Sequence, residues 1–469
     1  MGGLEKVRKI RGSWPLGLAA LIALGLAAVM IWMVAARLEG EPPSVTLDAP
    51  SPVYLGKSAQ LPLSLSDPNS GLRRLHAALS KDGKDIVLAD VMFPTSGILG
   101  LEKVRSEATA IKIDPGAMGL SDGKALLRIT VWDHSWRSWW HGNITELQTE
   151  VVIDTRPPVI ENLAQQNYVN QGGAGVAVYR LSESCATSGV RVGASFFPGY
   201  SGYTADNAVH IAFFAMSHLQ GAAAEIALEA KDLAGNSSRM RFSYHFRKKA
   251  FKKDTLQVSD GFIHQILPEF HALLPAKPNA TLKDKFLFIN RDLRQANYQA
   301  IVAATRKTET AMLWRGSFLR LPNSAPRAGF ADHRTYLYEG KEIDQQDHLG
   351  VDLASLARSP VPAANSGVVV YTGFIGIYGQ TVIVDHGFGL FSMYSHLSQI
   401  AVKAGDRVAK EVILGHTGST GLAGGDHLHF SILVHDTFVD PIEWWDPHWI
   451  QDNITLKLDA VKSASGQAG

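Results

Sequence analysis

The chain has 469 residues, enough for several domains with separate cores. Its 45 basic and 44 acidic residues nearly cancel, which argues against a nucleic-acid binder or a polycationic membrane binder. A single cysteine, Cys185, excludes an intrachain disulfide framework and thiolate-cluster metal sites, so any metal must be held by histidine and carboxylate.

Trp14 to Ala36 carries no charged residue and, at 23 residues, is long enough to span a bilayer. Lys6, Arg8, Lys9 and Arg11 precede it, whereas Arg37, Glu39 and Glu41 follow. That asymmetry predicts a cytoplasmic tail over 1–13, a transmembrane anchor over 14–36 and export of everything after Glu41. Val34-Ala35-Ala36 offers small residues for signal-peptide cleavage. The apolar run nevertheless exceeds the roughly 7–15 residues of a signal-peptide core, so an uncleaved anchor is expected.

Residues 41–155 show short alternating runs such as Gln60-Leu-Pro-Leu-Ser-Leu and Leu126-Leu-Arg-Ile-Thr-Val-Trp, broken by Asp-Gly and Asp-Pro-Asn turns. This spacing predicts a β-sandwich. Pro157-Pro158 mark a linker, because two prolines cannot occupy a central strand. A second β unit then runs over 157–247, its Ile226 to Asp232 matching Ile129 to Asp133 with 99 positions between the two aspartates. Asp232-Leu-Ala-Gly-Asn-Ser resembles the closing turn of bacterial immunoglobulin-like (Ig-like) domains. Trp132, Trp136, Trp139 and Trp140 crowd the first unit; stacking on sugar rings is one use for such a cluster, but tryptophans in sandwiches more often fill cores, so they are expected there, with His134 and His141 on surface loops.

The basic run from Arg247 to Lys253 reads as a solvated linker. A small mixed linker subdomain without chemistry of its own is expected over 248–325. One helix there is capped by Ser259 and carries Phe262, Ile263, Ile266 and Leu267 to a stop near Pro268, and a second runs from Leu293 to Thr305. Over 326–450, Gly367-Val-Val-Val-Tyr, Gln380-Thr-Val-Ile-Val, Leu390-Phe-Ser-Met-Tyr and His429-Phe-Ser-Ile-Leu-Val read as strands between glycine-rich turns. They predict an antiparallel β domain followed by a tail over 451–469. The chain is therefore mainly β.

The last β domain holds the polar residues that can do chemistry. On a strand His427 and His429 project from the same side, and His348 and Asp352 share a face on a strand or a helix alike. Two imidazoles and a carboxylate with one position left for water form the pattern of a catalytic zinc site.

Six ordered motifs carry a closer resemblance. They are His348-Leu-Gly350-Val-Asp352, Gly379-Gln-Thr-Val382-Ile-Val-Asp385-His386-Gly387 and Tyr394-Ser-His396-Leu397, followed by Val402-Lys-Ala-Gly405-Asp406-Arg-Val408, Gly415-His-Thr417-Gly418-Ser-Thr420-Gly421 and His427-Leu-His429-Phe430. Over residues 340–445 the chain resembles the LytM/lysostaphin-type metallopeptidases, family M23. The resemblance implies that His348, Asp352 and His429 hold Zn2+, while His427 and His396 flank the reacting water and carbonyl oxygen. No His-Glu-x-x-His is present to supply a glutamate base, so an imidazole titrating near neutrality takes that role. His427 is the expected base and His396 the residue that orients it or donates to the carbonyl oxygen, with the two roles exchangeable.

The resemblance further implies hydrolysis of peptidoglycan stem-peptide cross-links. A single-span anchor without disulfides suits the inner membrane of a Gram-negative cell, where the periplasmic cross-link is D-Ala to meso-diaminopimelate, favoured here over a glycine bridge, and the long N-terminal region leaves room for a regulatory protein partner. Its rival is a catalytically inactive relative that activates or scaffolds another wall hydrolase. Such relatives usually lose a zinc ligand, and every ligand position is filled here. Two departures touch the site: Asp426 stands where the family favours proline, and Ser431 where glutamate is frequent. His386, His416, His435 and His448 have no family role and are expected to be structural or exposed.

Overall fold

The computed structural model describes residues 14–96, 102–164, 167–277 and 279–466; the expected cytoplasmic tail, 1–13, lies outside them. The chain is mainly β and forms two compact units, one running to Arg156 and the other from Pro157 onward, with residues 234–236 assigned to the first.

The first unit opens with the helix Trp14–Arg37, whose apolar segment is long enough to cross a membrane and has none of its length buried. Behind it lies a two-sheet sandwich. One sheet pairs Ser44–Leu47, Ala59–Ser66 and Ser106–Ile113; the other orders Val53–Leu55, Ile144–Ile153, Gly123–Asp133, Leu72–Lys81 and Lys84–Met92. Strand alternation turns Leu61, Leu63 and Leu65 inward against Leu75, Leu79, Leu127 and Ile129, all buried. The tryptophans depart from expectation. Trp132 and Trp136 are half-buried, but Trp139 and Trp140 are 89% and 63% exposed. Both sit in the turn that joins the interior strands Gly123–Asp133 and Ile144–Ile153, where alternation assigns no inward face.

The second unit does not end at the boundary expected near residue 247. Strands Ala174–Leu181 and Val209–Ala215 bury Val176, Val178, Phe213 and Phe214 in a core that continues through Trp314 into Trp444. The rings of Phe213, Trp314 and Trp444 pack with centroids 5.6 to 6.2 Å apart. The basic run is not wholly solvated either, because Lys249 pairs with the buried carboxylate of Asp440.

Residues 248–325 are mixed in structure. Lys253–Val258 adds in parallel to His333–Tyr338. The helix Asp260–Phe270 starts on the Ser259 hydroxyl and runs two residues past Pro268, burying Ile263, Ile266 and Phe270. The second helix, expected from Leu293 on its Ala- and Gln-rich composition, begins earlier, at Leu282, because Thr281 and Asp284 form a capping box, and helical structure continues to Ala304.

The C-terminal sheet orders Ala325–Ala328, Val351–Ala354, Leu428–Val434, Leu390–Ile400, Gln380–Asp385, Gly367–Phe374 and Arg407–Val408. Its neighbours pair antiparallel throughout. Residues 451–466, expected as a tail, are helical and bury Ile454, Leu458 and Val461 in the shared core.

Candidate metal centre

Cross-strand register sets up the centre. Asp352 on Val351–Ala354 lies directly opposite His429 on Leu428–Val434, so the two side chains share one face of the sheet. His348 enters from the turn before the Asp352 strand. Asp352 Oδ1 lies 2.9 Å from His429 Nδ1 and 3.0 Å from His348 Nε2, and the two ring nitrogens are 3.0 Å apart. Three donor atoms thus converge on one point, and all three residues are buried.

The outer nitrogens show which way each ring faces. His348 Nδ1–H donates to Gly329 O at 2.8 Å, leaving Nε2 with its lone pair on the centre. The Ser431 hydroxyl donates to Leu349 O at 2.7 Å and accepts from His429 Nε2–H at 3.1 Å, which leaves His429 Nδ1 inward. Such outer partners fix tautomer and ring orientation in metal sites. Ser431 therefore does locally what a longer acidic side chain could do from the same position. The set fits a divalent ion that prefers nitrogen and oxygen ligands.

His396 and His427 complete the cluster, their rings 4.7 Å apart, with His396 5.8 Å from His429. Ser395 pairs with His429, so strict alternation would send the His396 side chain to the opposite face. A left-handed φ of 62° at His396 breaks the alternation and turns the ring back toward the cleft. Its Nδ1–H donates to Thr420 O at 2.7 Å, and His427 Nδ1–H donates to Gly425 O at 2.8 Å. Both rings therefore aim Nε2 inward, that of His427 standing 3.5 Å from Asp352 Oδ1.

Electrostatics differ around the ring. Burial holds His396 well below the usual histidine range and His429 at about 4. Burial also pulls on His427, but the adjacent Asp352 carboxylate outweighs it and raises that group. Asp352 resists its own burial through His348 and stays well below the carboxylate range.

All five residues singled out from the sequence meet in one cleft of about 280 Å³. Sequence reasoning missed three contributors. Arg334 places Nη2 3.1 Å from Asp352 Oδ2, the Tyr378 ring packs at a tilt against His429 with centroids 5.4 Å apart, and the linker segment supplies a wall of Leu256, Phe262 and Phe286. No local pattern marks Arg334, whereas the helix starting at Ser259 was legible but its exposed flank was not assigned a use. Asp426 stays off the centre and holds the loop instead, accepting from Thr417 Oγ1 at 2.6 Å and Arg358 N at 3.0 Å.

Comparisons with known proteins cover the stretch of chain that carries the cleft. Residues 346–441 match the profile of peptidase family M23. The chain is 37% identical over 95 residues to the DD-carboxypeptidase/endopeptidase Mpg of Neisseria meningitidis serogroup B, covering 20% of this chain and 22% of that protein. It is 38% identical over 87 residues to the peptidoglycan DD-endopeptidase ShyA of Vibrio cholerae, covering 19% and 20%. Among solved structures, the catalytic domain of lysostaphin from Staphylococcus simulans is 30% identical with a TM-score of 0.24, covering 28% of this chain and 98% of that one. The alignments span about a fifth of the length of the curated relatives. The C-terminal part of the chain, residues 346–441, is a peptidase domain of family M23.

Proposed function

We propose that this protein is a membrane-anchored zinc endopeptidase that hydrolyses peptide cross-links of peptidoglycan, with D-Ala–meso-diaminopimelate as the bond cut. The observation that carries the reading is the convergence of His348 Nε2, Asp352 Oδ1 and His429 Nδ1 to within about 3 Å of one another beneath two further inward imidazoles. Zinc, when bound, supplies a Lewis acid and a nucleophilic water at neutral pH without a thiol or activated serine.

The remaining work falls to the chain. His427, the less buried of the two flanking rings, accepts a proton at Nε2 and returns it to the leaving amine. His396, pinned by Thr420 O, orients the reacting groups on the opposite side. Leu256, Phe262 and Phe286 exclude water from the aliphatic part of a stem peptide. Trp14–Arg37 is the anchor in this reading, with the N-terminus on the cytoplasmic side of the inner membrane and everything after Glu41 in the periplasm.

The test is muropeptide mass spectrometry after detergent-solubilised full-length protein is incubated with purified sacculi, zinc-loaded, beside His429→Ala. Loss of cross-linked dimers in the zinc-loaded wild type alone is the expected result. Intact dimers in every arm would overturn the enzyme reading in favour of an activator or scaffold.

A further inference from the structure

The turn that carries Trp139 and Trp140 is built rather than loose. Asp133, fully buried, clamps both of its ends, accepting from Ser135 N at 3.0 Å and from the backbone and side-chain nitrogens of Asn143 at 2.7 Å. Between these points Ser138, Trp139 and Trp140 all adopt left-handed φ values of 51°, 55° and 72°. Three consecutive non-glycine residues in that region need an outside reason. Here the conformation delivers two adjacent indoles, 89% and 63% exposed, to the outside of the unit.

The same turn is bonded to the end of the apolar helix. Trp136 N donates to Arg37 O at 2.7 Å, the Ser135 hydroxyl donates to Glu39 O at 2.9 Å, and Asn143 Nδ2 reaches Glu39 O and Glu41 O at 3.2 and 3.3 Å. The Arg37 guanidinium lies 5.4 Å from the Trp136 ring centre, and Arg73 Nη1 donates to Trp140 O at 2.8 Å. The uncharged run ends at Ala36, so Arg37 marks the level where hydrocarbon gives way to headgroups. Trp139 is three residues from Trp136, a reach of at most about 11 Å, and the headgroup layer is itself roughly 5–8 Å thick. Indole prefers that layer, with its apolar body in the acyl boundary and its N–H in the wet zone.

We propose that Trp139 and Trp140 form a second membrane contact, a wedge that enters the headgroup layer of the bilayer crossed by Trp14–Arg37 and fixes how the first β unit stands on the membrane. The proposal rests on the anchor reading. It assigns the exposed indoles to lipid rather than to sugar rings or the sandwich core.

The test uses full-length protein with Cys185→Ser, reconstituted in phosphatidylethanolamine/phosphatidylglycerol vesicles. An environment-sensitive fluorophore is placed by Trp139→Cys in one sample and by Lys84→Cys, at the hairpin remote from the turn, in another. The expected result is a blue-shifted emission at 139 that is quenched by lipids carrying a shallow spin label, with neither effect at 84. Equal, unquenched emission at both sites in protein that resists carbonate extraction would overturn the wedge while leaving the anchor intact. A blue shift at 139 without lipid quenching would also overturn it, by showing a protein surface over the indoles. Release of the chain by carbonate would overturn the anchor reading and the wedge with it.

Discussion

Arg334 and Asp352 meet at 3.1 Å, the guanidinium on Oδ2 while Oδ1 faces His348 and His429. The two carboxylate oxygens are thereby divided, one held from the strand His333–Tyr338 of a separate sheet and one presented to the centre. Arg334→Ala should weaken metal retention by about 10- to 100-fold, the usual cost of losing an outer partner of a ligand. Arg334→Lys should fall between. Competition with a fluorescent chelator measures this, and unchanged retention in Arg334→Ala would show that the guanidinium does not position Asp352.

His396 and His427 are separable from the three converging donors. His396→Ala and His427→Ala should each keep close to wild-type zinc content while losing about 10²- to 10⁴-fold in turnover, the range for a positioned proton-transfer group. Metal analysis beside the sacculus assay decides it. Loss of zinc in either variant would make that residue a ligand.

Gly350 is confined by the centre. A Cβ there would stand 2.5 Å from His429 Nε2 and 2.6 Å from Ser431 Oγ. Gly350→Ala should therefore displace His429 and cut zinc retention by at least about tenfold with the fold kept. Ser431→Ala, which removes the acceptor of His429 Nε2–H and the donor to Leu349 O without crowding the ring, should have a smaller effect of the same sign. Equal retention in Gly350→Ala and wild type would mean that the strand shifts to admit the methyl group.

Trp444 ties three stretches of sequence into one core, touching Phe213 and Trp314. Trp444→Ala should cost about 3–5 kcal/mol and lower the unfolding midpoint of the entire second unit. Calorimetry should show the 157–247 strands and the peptidase sheet melting together; a separate, unshifted transition for the former would contradict a shared core.

His386 is a buried neutral imidazole, bonded to Ser366 O and the Ser392 hydroxyl at 2.7 Å and held at about 4 by burial. The unfolded chain takes up its proton near pH 6.5 and the folded one only near 4. Stability is therefore lost as pH falls through that window, by about 3 kcal/mol for this group. Glu443, pushed up to about 7 by burial, acts in the opposite sense between 4.5 and 7. The His386 contribution is accordingly read as the difference between wild type and His386→Asn in denaturant midpoints from pH 7 to 4.5. Parallel curves would refute it.

The sequence by itself determined the elements whose signal is local. The uncharged run of Trp14 to Ala36, the alternation of Leu61, Leu63 and Leu65, and the capping serine at 259 depend on neighbours a few residues away, where backbone periodicity dictates the pattern. The five polar residues of the cleft were legible because motif order is preserved along the chain even where geometry is not. Tertiary structure alone decided what depends on residues far apart. It placed Arg334 beside Asp352, turned His396 inward against strand alternation, and gave the cleft a wall from the stretch that the sequence marked only as a linker. It also merged the second β unit with the peptidase sheet through Phe213, Trp314 and Trp444. Composition marks where prolines and lysines interrupt the chain, but a core is drawn by which apolar faces meet, and no window of sequence contains both sides of that contact.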